Sequence, residues 1–261
     1  MTPNRRVVAL AAHLRECRNV ITLGVFPNFS DYSPESAELI RSAEKIYYPS
    51  SFYADLLHTM GKEIFPSYHS YLFAQDKIKQ SALFEMMKIP HPRTRVFYGI
   101  RQRSRILEFF QFPFVGKIPK GSAMGRGVFL IGNDSDLQKY LSQTRIAYIQ
   151  QFLPVKRDIR VVVIGKRCAH AYWRIAPADD FRCNVSVGGT ISLDPVPREA
   201  LDLAIHTARS CRWNDVGIDI CLFENRFYVL EANMKYGKEG FRAAGLDYTR
   251  LMEQLIEQGD I

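Results

Sequence analysis

VGIDICLFENRFYVLEAN, residues 216–233, is two strand-like runs joined by the short polar link Glu224-Asn225-Arg226, which reads as a hairpin turn. Asp219 lies in the first run. Glu231 and Asn233 lie in the second, two apart and so on one face of their strand. Asp219 and Glu231 face each other across the hairpin only if the loop holds an odd number of residues, centred on Asn225. Two carboxylates and an amide would then converge. Like charges that close are costly unless a cation joins them. All-oxygen ligands suit Mg²⁺, which keeps water and substrate phosphates in its shell. The bland alternative is two acids at a solvated strand end, and the hairpin alone does not exclude it.

A second signal lies about a hundred residues earlier, in FPFVGKIPKGSAMGRGVFLI (residues 112–131). Strand-like runs at 112–118 and 127–131 flank Gly121, Gly125 and Gly127. Glycines let backbone N–H groups approach a phosphate, and Lys117 adds a point charge beside them. No Gly-Lys-Ser/Thr or opening helix makes this a Walker A loop, and strand–loop–strand is not a dinucleotide fingerprint. A kinase loop has its lysine after the glycines and would come with HRD and DFG, which are lacking. By itself the stretch reads equally as a surface hairpin.

Between the two signals, strands are predicted at Tyr148–Leu153, Ile159–Ile164 and Cys168–Ile175, followed by Phe181-Arg182-Cys183-Asn184 and Gly188-Gly189. Arg160, Arg174 and Arg182 sit in or beside these strands. An arginine in a half-buried strand needs an anion or carboxylate partner. Arg174 reads as an ordinary surface ion pair.

In this order the segments resemble the ATP-grasp superfamily, and most of all its RimK-like branch, the ribosomal-protein glutamate ligases and their relatives. The resemblance starts at QDKIKQSALFEMMKIPHPRT (residues 75–94) and continues through DIRVVVIG, FRCN…GG, GIDI and LEAN to about Gly240, roughly two-thirds of the chain. It implies an α+β fold: two α+β subdomains clamping ATP, preceded by a small α/β preATP-grasp domain. The boundaries expected are 1–72 for the first unit and 73–261 for the grasp. The activity implied is that of an ATP- and Mg²⁺-dependent carboxylate–amine ligase. A carboxylate takes the γ-phosphoryl group of ATP, and an amine displaces phosphate to leave an amide. One or two Mg²⁺ ions are implied, with Mn²⁺ as a substitute.

Carried over residue by residue, Lys77 and Lys117 match phosphate-contacting lysines. Gln150, Gln151, Phe152 and Leu153 match the hinge that reads adenine, and Asp158 falls near the ribose. Arg160, Arg182 and Asn184 match residues lining the phosphates and the reacting carboxylate, and Asp219, Glu231 and Asn233 match the metal ligands. Phosphoryl transfer relies on positioning and charge neutralisation, which such a set supplies. Two departures stand out. The hinge has Gln150-Gln151 where Gln-Glu is usual. The family's N-x-S-P-G is here Asn233-Met234-Lys235-Tyr236-Gly237, so the acceptor differs from the archetype's. These departures feed the alternative, a degenerate nucleotide-binding or sensor module without ligase activity. A basic nucleic-acid binder is a third and weaker reading.

Composition fits a globular enzyme, with 261 residues, 47% apolar and 24% charged. No apolar run approaches a membrane span, and the start reads as a helix over 4–18 rather than a leader. Five cysteines without a CxxC fit a reducing cytoplasm and argue against zinc or a disulfide framework. A net charge of +8 suits ATP and an acidic substrate, either a small carboxylate with its amine or a protein or peptide tail. The basic residues are spread out, with a denser patch only at Arg101, Arg103 and Arg105 that reads as a solvated face, so nucleic acid is not expected as a partner; nor, with no long apolar run, is a membrane. The histidines lack metal-like spacing. In the first unit, strands at 20–26 and 46–48 alternate with helices at 34–44 and 51–60, which suggests a small parallel sheet. Further helices are expected at 74–88, 103–110, 134–142, 197–211 and 246–258.

Overall fold

The computed structural model describes residues 6–121 and 127–261. Its first sheet is parallel and four-stranded. Strands β1 (Val7–Ala9), β2 (Val20–Thr22), β3 (Lys45–Tyr47) and β4 (Glu63–Phe65) lie in the order β2-β1-β3-β4. Helices α1 (Pro34–Ser42) and α2 (Ser51–Thr59) make the crossovers. Each starts on a serine whose hydroxyl takes an orphan N–H: Ser33 that of Ser36, and Ser50 that of Tyr53. Val8, Leu10, Ile40, Ile46 and Leu57 pack together beneath them.

The helix expected over 4–18 is not there. Residues 7–9 are β1 and Ala12–Leu14 form one 3₁₀ turn. β1 pairs with β2 on one side and β3 on the other, and Ala9 and Leu10 are fully buried. A central parallel strand is covered on both faces, so it reads as a continuous apolar run that periodicity cannot tell from a helix. Strand β4 was not anticipated either. The helix expected from 74 begins later: α3 (Tyr68–Phe73) ends, Gln75 turns left-handed, and Asp76 caps α4 (Lys77–Met86).

The second sheet is antiparallel, in the order β5-β8-β6-β7. It is built from β5 (Thr94–Tyr98), β6 (Phe114–Lys117), β7 (Val128–Ile131) and β8 (Ile146–Gln151). Helices α5 (Gly99–Arg103) and α6 (Ile106–Phe109) replace the single helix expected at 103–110. Helix α7 (Asp134–Ser142) covers the sheet through Tyr140. The Tyr140 ring lies where a Cβ on Gly116 would meet it at 3.0 Å, so β6 needs glycine there. The Tyr140 hydroxyl donates to Lys117 O and accepts from Tyr148 N–H, which fixes β6 against β8.

The third sheet carries the site. It is antiparallel, in the order β11-β10-β9-β12-β13, from β9 (Arg157–Ile164), β10 (Arg167–Ile175), β11 (Thr190–Ser192), β12 (Asp215–Phe223) and β13 (Arg226–Asn233). Ile159, Val161 and Val163 face α8 (Arg198–Ser210). Val162 and Ile164 face the first sheet, α9 (Glu239–Ala243) and α10 (Tyr248–Glu257). On that second face the sheet is apolar at one end and charged at the other, because Asp158, Arg160, Asp219 and Glu231 share it. Among the described residues no helix is long and apolar enough to cross a membrane.

Candidate active site

Asp219 and Glu231 do stand opposite each other, but not by the route the sequence suggested. The turn holds two residues, Glu224 and Asn225, both left-handed, between the paired Phe223 and Arg226. That is the two-residue hairpin turn whose twist matches its strands. Continued regularly it would pair Asp219 with Leu230. A β-bulge between Asp219 and Ile220 inserts Leu230 and restores the pairing with Glu231. The odd residue is therefore in the strand and not in the loop. The bulge also brings both Leu230 and Glu231 into the wall of the cleft.

Arg160 and Arg174 flank Asp219. Arg160 stands opposite Asp219 in the register and grips both its oxygens through Nε and an amino nitrogen. This guanidinium crosses β12 at Gly217, where a Cβ would come within 3.0 Å of Arg160 Cδ. Arg174 does not make the surface ion pair expected of it. Its side chain is 5% exposed, forks onto Asp158 with two bonds of 2.7 Å, and reaches Asp219 Oδ2 at 3.0 Å. It faces inward because β10 pairs Arg174 with Asp158 of β9, a long-range register that residue order alone does not give. Burial raises the Asp158 pKa and outweighs the Arg174 charge, while the Asp219 charge pushes the same way. Burial would raise Asp219 as well, but Arg160 and Arg174 together hold it below the usual carboxylate range. Arg174 stays charged: burial alone would lower its pKa, and the two carboxylates lift it well above the ordinary value.

A cleft of about 890 Å³, open mouth included, gathers most of the candidate residues between the second and third sheets. Lys77 opens α4 and meets Glu231 at 3.2 Å. Helix α4 is fastened to the site by Gln80, whose amide pairs with both Ala232 N–H and C=O on the edge strand β13. Lys117 ends β6 in the same wall, and burial lowers its pKa against the opposing pull of Glu231. Gln150, Gln151, Phe152 and Leu153 line one side, and Phe181 meets Phe152 edge-on at 5.9 Å. Arg182 and Asn184 line the cleft as well, with Arg182 forked onto Asp180 and Asp180 held at about 2 chiefly by those bonds.

Some candidates lie apart. Of the described residues, the wall includes Arg174 but not Arg160, which sits behind Asp219. Gly121 and Gly127 are both left-handed and flank the loop, and neither lines the cleft. Gly125 lies outside the described residues. Sequence reasoning missed the apolar lining Val115, Val128, Leu230 and Phe181. Val115 was findable, being two residues from Lys117 on one strand face. Leu230 was not, since only the bulge turns it inward.

The donor set fits an oxygen-seeking cation. Asp219, Glu231 and Asn233 line one cleft from neighbouring strands. Asp219 Oδ2 accepts from Arg160, Arg174 and Asn233 Nδ2, whereas the described donors to Oδ1 are limited to Arg160 Nε. A lone pair on Oδ1 is therefore available. A half-turn of the Asn233 amide would present oxygen in place of nitrogen.

Known proteins resemble this chain in sequence and in fold. The family model described as a RimK-like ATP-grasp domain matches residues 74–257. A coenzyme gamma-F420-2:alpha-L-glutamate ligase of Methanocaldococcus jannaschii is 27% identical over 190 residues, 69% of this chain and 65% of that protein. A ribosomal protein bS6–L-glutamate ligase of Salmonella paratyphi B is 28% identical over 193 residues, 71% of this chain and 64% of that protein. The match thus spans just under two-thirds of the length of these relatives. The ATP-grasp ligase PsnB, solved with a precursor variant, Mg and ADP, superposes with a TM-score of 0.70 at 17% identity, over 97% of this chain and 98% of that one. The fold is the ATP-grasp fold.

Proposed function

Because the chain belongs to the RimK-like ATP-grasp family, we propose that it is an ATP- and Mg²⁺-dependent carboxylate–amine ligase. The observation that carries this is one cleft holding Lys77, Lys117, Arg182, Asp219, Glu231 and Asn233 beside the 150–153 segment. Adenine lies against Gln150–Leu153 between Val115, Val128 and Leu230. Lys77 and Lys117 bind the phosphates, and Asp219, Glu231 and Asn233 are the residues that would hold Mg²⁺. The ion would neutralise charge on the phosphate oxygens. Arg182 and Asn184 hold the substrate carboxylate in line with the γ-phosphorus. Its oxygen attacks phosphorus, and ADP leaves with the bridging oxygen's electron pair. The amine then attacks the acyl carbon of the acyl phosphate. It expels phosphate and gives up a proton to leave the amide.

A screen for ADP release over amino acids and small carboxylates, with the amide read by mass spectrometry, tests this. L-Glutamate is the first amine to try, since both relatives are named as glutamate ligases. The grip of Arg160 and Arg174 on Asp219 favours the alternative of a nucleotide-binding module that does not ligate. Arg182→Ala separates the two. A ligase loses carboxylate-stimulated ADP release about 30-fold or more, as for an arginine taken from a desolvated anion contact. Its affinity for a non-hydrolysable ATP analogue stays within about tenfold. If no carboxylate stimulates ADP release from the unaltered protein, the ligase reading falls.

A further inference from the structure

Among the described residues the wall of the cleft holds three carboxylates, Asp158, Asp219 and Glu231. The stretches outside the described residues, 1–5 and 122–126, contain no Asp or Glu. Two of the three serve the phosphate end. Glu231 meets Lys77 at 3.2 Å, and Asp219 is held by Arg160 and Arg174. That leaves Asp158, which the resemblance places near the ribose. The structure turns it away. Its side chain is 8% exposed, and Arg174 takes one oxygen through Nε and the other through an amino nitrogen, each at 2.7 Å. A fork of this kind fixes the plane of the carboxylate as well as its position. Turning Asp158 out to a sugar hydroxyl would break a buried ion pair for one new contact, which is a net loss.

Chain position puts the sugar here. Asp158 is the second residue of β9, just beyond the hinge, and Arg174 bridges it to Asp219. With the base against Gln150–Leu153 and the phosphates on Lys77 and Lys117, the ribose lies between them, against Val155, Asp158 and Phe181. Val155 is aliphatic, and Phe181 closes edge-on upon Phe152 at 5.9 Å. The charged side chains between Val155 and Asp158 are turned elsewhere. Lys156 Nζ donates to the carbonyls of Ala178 and Asp180, and Arg157 sits over the Trp173 ring at 4.2 Å. Asp180 is forked by Arg182 and stays out of the wall.

We propose that the cleft does not read the sugar of its nucleotide, and that Arg174 sets this specificity by withholding Asp158, so that ribose and deoxyribose nucleotides bind alike. A carboxylate that reads a ribose hydroxyl makes a charge-assisted bond, and its loss shows as about 10- to 150-fold in affinity. Here there is no such bond to lose. The inference rests on the nucleotide-binding part of the ligase reading, and its test needs no turnover.

Binding of ADP, 2′-deoxy-ADP and 3′-deoxy-ADP is measured by calorimetry with Mg²⁺ on the full chain. AMP-PNP, a non-hydrolysable ATP analogue, reports whether each variant keeps its nucleotide site. The unaltered protein is expected to bind both deoxy nucleotides within about threefold of ADP. Arg174→Lys keeps the charge and loses the fork, which frees an oxygen of Asp158. In that variant at least one deoxy nucleotide should bind about fivefold or more weaker than ADP. Val155→Glu sets an acid without an arginine in the same wall and should create the same preference, which keeps the test sharp should Arg174→Lys fail to fold. A deoxy nucleotide that binds the unaltered protein more than about tenfold weaker than ADP overturns the proposal. So does a lack of sugar preference in both variants while AMP-PNP still binds, since the wall would then not face the sugar. Binding of none of these nucleotides would remove the ligase reading together with the inference. ADP bound with a strong sugar preference removes the inference alone.

Discussion

Arg174→Met is the sharpest test of the charged layer under the cleft. A methionine keeps much of the stem's volume and removes the guanidinium. What is lost is two 2.7 Å bonds to Asp158 and one of 3.0 Å to Asp219, on a side chain almost shut off from water. Were this an exposed pair, the loss would be about 0–1 kcal/mol. Removing one partner from a buried pair instead costs about 3–5 kcal/mol, because the other charge is left desolvated. For a chain of this size each kcal/mol moves the melting temperature by roughly 2–4 °C. The variant should therefore melt about 6–20 °C lower at neutral pH. The gap should narrow in acid, where the orphaned Asp158 can take up a proton. Asp158→Asn together with Arg174→Met should cost less than the sum of the two single changes, since the second removes a charge the first had stranded. Calorimetric melts of the four proteins of that cycle are sufficient. A drop below about 1 kcal/mol, or strict additivity, would mean that the layer is not the desolvated network inferred here.

Asp219→Ala and Glu231→Ala should abolish ADP release, while Asn233→Ala, which removes a neutral ligand, should be milder; unaltered turnover in either acid variant removes the metal assignment. Lys117→Met should weaken AMP-PNP binding by about 10- to 150-fold, the worth of a charge-assisted contact, and calorimetry showing no change would take this lysine out of the phosphate site. Asp215, buried at the start of β12, accepts from the hydroxyls of Tyr48 and Tyr236 and carries a pH signature. Burial raises its pKa from 3.8 to about 6 against the two tyrosine bonds, so its contribution to stability is full below about 3.8 and lost as pH rises through 6. A difference of that size in acidity is worth about 3 kcal/mol, so the urea stability of Asp215→Asn relative to the unaltered protein should improve by up to that amount between pH 4 and pH 8. Parallel curves would mean that Asp215 is not a strained acid.

What the sequence made legible was local. An acid and an amide two apart on a strand, a glycine cluster between strands and a lysine opening a helix announce themselves at short range, and the resemblance to the ATP-grasp superfamily rests on their order. What it hid depends on which residues far apart in the chain come to face each other. β1 looked helical because a strand covered on both faces loses its alternation, and nothing in residues 7–9 names β2 and β3 as neighbours. Arg174 looked like a surface residue because its partner is sixteen positions back, across a register that only the assembled sheet sets. The Asp215 cluster was invisible for the same reason, since its phenols come from positions 48 and 236.

The hairpin of β12 and β13 marks the limit most clearly. Parity of spacing and the requirement that Asp219 meet Glu231 together demand one extra residue, and that much is deducible. Where the residue sits is a competition between turn and strand. An odd loop leaves the ladder intact but gives up the tight two-residue turn, whereas a bulge keeps that turn at the cost of disrupting the ladder at one residue. Glu224 and Asn225 both adopt left-handed backbone, a conformation that asparagine accepts readily and glutamate less so. The turn thus carries some strain, and the bulge takes the extra residue at Leu230, on the edge strand. There Gln80 already supplies the pairing that Ala232 would otherwise lack, so an interrupted ladder costs least where a side chain stands in for a neighbouring strand. On that account Gln80→Leu should destabilise the site end of β13 more than an ordinary surface change. It leaves the Ala232 N–H and C=O without their partner, at about 1–3 kcal/mol for each group. Amide exchange at Ala232 should accelerate in that variant while exchange at Cys221, paired within the hairpin to Tyr228, stays slow. Equal acceleration at both would show that the bulge does not depend on Gln80.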